Sequence, residues 1–130
     1  MNADEQAIRD VVRRWHVLTA AGDVDGVLEL MTEDVVFLVA GREQPMRGRE
    51  AFAQGLRAIL ATHRIESVGD VQDIVISDDL ACCWAMLDVR ITPLAGGETR
   101  RRRGNVLSVY WREADGRWRL VRDANLLMAV

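Results

Sequence analysis

The spacing of apolar residues changes period partway along the chain, and that change limits what it can fold into. Up to about Leu60 the apolar residues recur at helical intervals; from about Arg64 onward they alternate. Asn2 and Glu5 have the spacing of a capping box, and Ile8, Val11, Val12, Trp15 and Leu18 form a helical stripe ended by Gly22. Asp23 is placed to cap a shorter helix with the stripe Val24, Val27, Leu28 and Met31. The run from Val35 to Ala40 is continuously apolar and reads as a buried strand. After the turn-rich GREQPMRG comes a third helix with Phe52, Leu56, Ile59 and Leu60 on one face. Four long strands are then predicted: Arg64 to Ser77, Leu80 to Thr92, Thr99 to Glu113 and Arg117 to Met128. Antiparallel strands of that length twist and coil. The pattern predicts an α+β fold, one domain over residues 1–130, with a mostly antiparallel sheet curving around three N-terminal helices.

Alternation also assigns faces. Cys83, Ala85, Leu87, Val89 and Ile91 make one purely apolar set, expected to face the helices. Trp84, Met86, Asp88 and Arg90 make the opposite, mixed set, expected outside. In the last hairpin, Ser108, Tyr110, Asp123 and Asn125 share the inward parity, while Leu107, Trp111, Trp118 and Leu120 share the outward one. An outer surface bearing Trp84, Met86, Leu107, Trp111, Trp118 and Leu120 is too apolar for a monomer, so a homodimer through this face is expected.

Charge and motifs remove several classes of function. The formal net charge is -3 with pI near 5.4, which argues against nucleic acid or an anionic membrane as partner. No apolar run reaches the ~20 residues that span a bilayer. The acidic, polar start MNADEQAIRD does not read as a secretory signal, so a cytoplasmic location is expected. Adjacent Cys82 and Cys83 point to opposite faces of a strand, which favours two reduced thiols over a disulfide. His16 and His63 are the only histidines, and no ligand-spaced cluster surrounds either; neither metal nor cofactor is expected. His63 is expected to complement a helix dipole, and His16 to be half-exposed at the edge of its stripe, with a role as base partner as the alternative. The phosphate-binding and nucleophile-elbow patterns GxGxxG, GxxxxGK[ST] and GxSxG do not occur. Arg100 to Arg103 split two and two across a strand and read as a solvated hairpin end, with a basic rim for a carboxylate ligand as the alternative.

The segments AGDVDGVLELMTEDVVF, PMRG and DGRWRLVRD together resemble the nuclear transport factor 2-like superfamily, closest to its SnoaL-like and SgcJ-like branches, which in turn resemble ketosteroid isomerases. The resemblance spans nearly the whole chain. It implies a cone, a strongly curved sheet wrapped around three helices with a pocket inside, and dimerisation through the outer face of the sheet. At the three positions where the isomerase branch has a helix-one tyrosine and two aspartates, this chain has Trp15, Val39 and Ser108. The polyketide-cyclase branch has an aspartate on its last strand, and the matching Gly116, Arg117, Trp118 and Asp123 keep that spacing. Asp123 is the one acid/base position that carries over.

Asp123 is therefore the candidate catalytic residue, as a desolvated carboxylate positioned for proton transfer. Tyr110 or Asn125 would donate to an enolate oxygen, and Trp15, Val39, Phe52, Ser108, Tyr110 and Asn125 would line the substrate site. The competing reading of Asp123 is a structural ion pair with Arg14 or Arg57. Two functions fit. One is an isomerase- or cyclase-type enzyme acting by proton transfer on a hydrophobic, oxygenated small molecule. The other is a non-catalytic ligand-binding or homodimeric association module of the same fold.

Overall fold

The computed structural model describes residues 2–130. Helix α1 (Ala3–Ala20) starts where expected: the Asn2 side chain accepts the Glu5 backbone N–H at 2.7 Å. Asp23 caps α2 (Val24–Leu28) by accepting from Gly26 N at 3.0 Å. This second helix is only five residues long, so Met31 does not complete its stripe. Met31 instead opens strand β1 (Met31–Val39), which is followed by β2 (Met46–Arg47), α3 (Arg49–Leu60), β3 (His63–Ser77), β4 (Leu80–Pro93), β5 (Arg100–Arg112), β6 (Trp118–Asn125) and β7 (Met128–Ala129). His63 thus opens a strand rather than closing a helix, and its Nδ1 lies 2.7 Å from Thr62 Oγ1.

The strands form one curved, unclosed sheet in the order β2-β1-β6-β5-β4-β3, with β7 paired to β5. All pairings are antiparallel except β1 with β6. β1 is not the continuously buried strand its composition predicts. Val35 and Phe37 are buried, but Leu38 is 52% exposed, because helices cover only one face of the strand. The last long strand also ends earlier than predicted, at Asn125. The chain then crosses over Gly104 to reach its β7 pairing. A Cβ on Gly104 would lie 2.8 Å from the Leu126 carbonyl oxygen, so the crossing depends on glycine there.

A bulge overturns the outward assignment of Trp118 and Leu120. Tyr110 pairs with Leu120, yet Val109 pairs with Arg122, so Val121 is an extra residue on β6. Parity therefore flips within the strand. Trp118 and Leu120 face inward before the bulge and are 5% and 3% exposed, in the core with Ile8, Val27, Met31, Val35 and Phe37. Asp123 and Asn125, of opposite parity, line the cavity under the helices after it. The Arg112 guanidinium lies 4.9 Å from the Trp118 ring centre.

Candidate functional site

The concave face of the sheet, α1 and α3 enclose a cavity of about 330 Å³. That is roughly the space of ten waters and lies at the small end of organic-ligand sites. Its floor is the apolar row of β4: Cys83, Ala85, Leu87, Val89 and Ile91 all line it. Trp15 of α1, Phe37 of β1 and Phe52 of α3 pack as an aromatic trio on another wall, with Phe37 and Phe52 stacked at 4.9 Å and Trp15 tilted 5.4 Å from Phe52. Val39, Ser108, Tyr110, Asp123 and Asn125 line the same cavity, so the seven residues picked from sequence as catalytic or substrate-binding share one wall system.

Asp123 sits beside Ser108 across the β5–β6 ladder, and the Ser108 hydroxyl donates to its Oδ1 at 2.6 Å. No ion pair reaches Asp123 among the described residues, and Arg57 is held by Asp25 at 2.9 Å. Asp123 is partly buried and lines the cavity. Burial raises its pKa from 3.8 to about 6, against the opposing pull of the Ser108 hydrogen bond. At pH 7 the group is thus mostly ionised and only a little way from protonation, the range that suits a general acid or base.

The donors around it are ordered. Asn125 Oδ1 accepts from Leu127 N at 2.9 Å, which fixes the amide orientation because a backbone N–H requires an acceptor. The Asn125 amide N–H groups take no protein partner among the described residues. Tyr110 is buried, and burial pushes its phenol far up, so it stays a neutral O–H donor. Buried Cys83 behaves likewise, its thiol raised to about 11, and both cysteines are free.

Sequence reasoning missed a second polar end of this cavity. His16, Ser67, Thr19 and Arg102 also line it. His16 is half-buried, with Nδ1 2.7 Å from Ser67 Oγ, and burial lowers its pKa. Arg102 turns inward and donates to the Leu127 carbonyl at 2.9 Å. Arg101 instead makes a two-pronged pair with Asp88 at 2.6 and 3.0 Å on the outer face, which Arg103 joins at 3.9 Å. The arginine run is thus partly an ion-paired network rather than a freely solvated end.

On the convex face Trp84, Leu107 and Trp111 are 44%, 46% and 49% exposed, and Met86 is half-buried. Trp84 Nε1 donates to Asn105 Oδ1 at 2.8 Å. A wider surface cleft of about 570 Å³ lies near Met31 and Arg119. Two of its three arginines are engaged: Arg119 holds Glu113 at 2.7 Å and Asp115 at 2.9 Å, and Arg49 holds Glu33 at 3.4 Å. Lined mainly by charged side chains, that cleft reads as a solvated polar surface rather than an apolar ligand site. No group of three or more metal-ligating side chains occurs among the described residues. No helix among them is long and apolar enough to cross a membrane.

Comparison with known proteins agrees with this architecture. A conserved protein from Planctomyces limnophilus has a solved structure with 38% identity, a TM-score of 0.94 and 98% of each chain covered. A ketosteroid isomerase-like protein from Erwinia carotovora is 18% identical with a TM-score of 0.83, over 100% of this chain and 98% of its own. A nuclear transport factor 2-like superfamily protein from Salmonella enterica is 15% identical with a TM-score of 0.80, over 95% and 89%. No curated protein sequence matches. The SnoaL-like domain model matches residues 12–121, and the chain belongs to that family, within the nuclear transport factor 2-like superfamily.

Proposed function

We propose that this protein binds a hydrophobic, oxygenated small molecule in the internal cavity and moves a proton on it, as an isomerase- or cyclase-type enzyme would, with no metal or nucleotide taking part. The observation that carries the reading is Asp123: a carboxylate on the wall of an apolar cavity, without a cation beside it, and with its pKa raised to about 6. In the proposed step Asp123 takes a proton from the carbon next to a ketone. The C–H electron pair becomes the enolate, whose oxygen accepts from the Asn125 amide or the Tyr110 hydroxyl. Protonated Asp123 then returns the proton to carbon. Ser108 holds the carboxylate in one orientation throughout.

The test is proton–deuterium exchange of 2-tetralone, a two-ring ketone, followed by NMR in heavy water. Acceleration by the wild type and its loss in Asp123→Asn are expected. Binding without acceleration would overturn the catalytic role and favour a non-catalytic binding protein. One feature already favours that second reading: Val39 lines the cavity and cannot carry a proton, which leaves Asp123 as the single carboxylate there.

The same proposal includes a homodimer through the convex face, supported by the exposed Trp84, Leu107 and Trp111 with half-buried Met86. It also includes a cytoplasmic location, which two free thiols suit.

A further inference from the structure

Proton transfer at Asp123 leaves one charged group of the cavity without a task. Arg102 is the one arginine among the described residues that line it. Its neighbours Arg101 and Arg103 turn to Asp88 on the outer face. Arg100, of the same parity as Arg102, is exposed at the start of β5 and lies outside the cavity lining. Arg102 is half-buried, and among the described residues its guanidinium has one protein partner, the Leu127 carbonyl at 2.9 Å, and no carboxylate. The rest of its planar N–H fork is unclaimed, and such a fork matches a carboxylate.

The backbone holds this fork in place. The chain crosses Gly104 closely, with Leu127 Cα 3.2 Å from where a Cβ would stand, and Leu127 is buried by the crossing. Its carbonyl accepts from Arg102 while its N–H donates to Asn125 Oδ1 at 2.9 Å, so one buried residue orders both side chains. Those two bonds and the single residue between them put Arg102 Nη2 at most about 9.5 Å from Asn125 Oδ1. Asp123 stands two residues before Asn125 and lines the same cavity, about 7 Å along β6. A cation, a free amide donor and a carboxylate therefore follow one another along one wall.

We propose that the Arg102 guanidinium binds a carboxylate, and that the molecule handled in the cavity is an apolar organic acid, held with its carboxylate at Arg102 and its reacting carbonyl at Asn125 and Asp123. This rests on the reading of the cavity as a ligand site. The charges fix the orientation. Asp123, mostly ionised at neutral pH, repels an anion from its own end. Ser67, Val89 and Arg102 share one row across the sheet, and His16 reaches that row through Ser67. Burial lowers the His16 pKa below 6.5, so at pH 7.5 the imidazole is neutral and Arg102 is the cation at that end. One cation matches the single charge of a carboxylate; a phosphate monoester would bring nearly two. The wall of Ala85, Leu87 and Val89 suits a hydrocarbon body.

Titration calorimetry at pH 7.5 with 2-naphthoate and its neutral, shape-matched amide 2-naphthamide tests this, with 2-tetralone as a neutral reference for the cavity. The wild type should bind naphthoate about tenfold more tightly than naphthamide, the gain of one charge-assisted contact. Arg102→Gln should abolish that preference and leave the affinities for naphthamide and 2-tetralone unchanged. Arg102→Met, which keeps the apolar stem, is the second variant and should give the same result. Arg103→Gln, on the outer face, should keep the full preference. Equal binding of naphthoate and naphthamide by the wild type, or binding of 2-tetralone without naphthoate, would overturn the carboxylate subsite and leave the cavity's ligand-binding role intact. A preference that survives both Arg102 variants, or that Arg103→Gln removes as well, would overturn its assignment to Arg102. No binding of any of the three probes would overturn both proposals.

Discussion

Replacing Asp123 by asparagine should make the protein more stable, and only above a definite pH. Folding takes the carboxyl from a pKa of 3.8 to about 6. The folded chain therefore holds this proton more tightly than the unfolded chain does. Stability falls as pH rises through the window from about 4 to about 6, and above that window the full cost of an ionised, buried carboxylate is present. That rise corresponds to about 3 kcal/mol. Asparagine has nearly the same shape, can accept the Ser108 hydrogen bond, and carries no charge at any pH. At pH 8 the variant should gain up to about 3 kcal/mol, which for a chain of this length is about 10 °C in Tm. At pH 4, where the folded wild type holds Asp123 protonated and therefore uncharged like the asparagine, the difference should shrink towards zero. Urea denaturation of both proteins at several pH values from 4 to 8 measures this directly. A difference that does not change with pH, or an asparagine variant less stable at pH 8, would refute the premise that Asp123 is held desolvated and without a cation.

Other substitutions probe the same geometry. Ser108→Ala removes the hydrogen bond that opposes desolvation, so a carbon-13 titration of Asp123 should find its pKa above 6. Trp118→Ala should cost about 3–5 kcal/mol as a core deletion, whereas Trp84→Ala, on the exposed convex face, should cost far less in a monomer-based denaturation measurement. Gly104→Ala places a methyl 2.8 Å from the Leu126 carbonyl oxygen and should destabilise the fold by roughly 1–3 kcal/mol, with loss of hydrogen-exchange protection in β7. Trp111→Asp should convert a dimer to a folded monomer in sedimentation velocity; a wild type that sediments as a monomer would remove the proposed interface.

Much of this was legible in the alternation. The β4 row from Cys83 to Ile91 faces the cavity because a long, unbroken period of two in a paired strand admits only one register. Ser108, Tyr110, Asp123 and Asn125 were grouped correctly, but their partners Trp118 and Leu120 were placed on the wrong face, and one residue explains both outcomes. The extra Val121 has no compositional signature, since a bulge changes the count of residues opposite a strand and not their type. Parity counted from Asp123 is right for Asn125 and wrong for Leu120. The His16–Ser67 pair was hidden for a different reason. It joins a helix to a strand 51 residues away, and no local period encodes where α1 lies along β3. The one local trace was Gly69, a glycine inside a strand pattern, which often marks a close approach by another group; here the approaching group is the His16 ring.

The placement of Asp123 is the strongest argument that the cavity is more than a packing defect. The chain has 17 basic side chains, and its surface carboxylates use them: Asp88, Asp115, Glu113 and Asp25 each hold an arginine. Asp88 and Asp115 have lowered pKa values as a result. Asp123 faces the other way in every respect. It has a neutral hydroxyl for a partner, an apolar cavity beside it, and a pKa moved upward by burial. A carboxylate kept for folding alone gains by acquiring a cation or by full exposure to water, and Asp123 has no ion-pair partner among the described residues and is only partly exposed. Its ionised form weakens the fold at neutral pH, and asparagine would keep the same hydrogen bond without that cost. A group that is costly when charged, close to protonation, and aimed into a space that can hold a two-ring molecule has the properties that proton transfer requires and that packing does not.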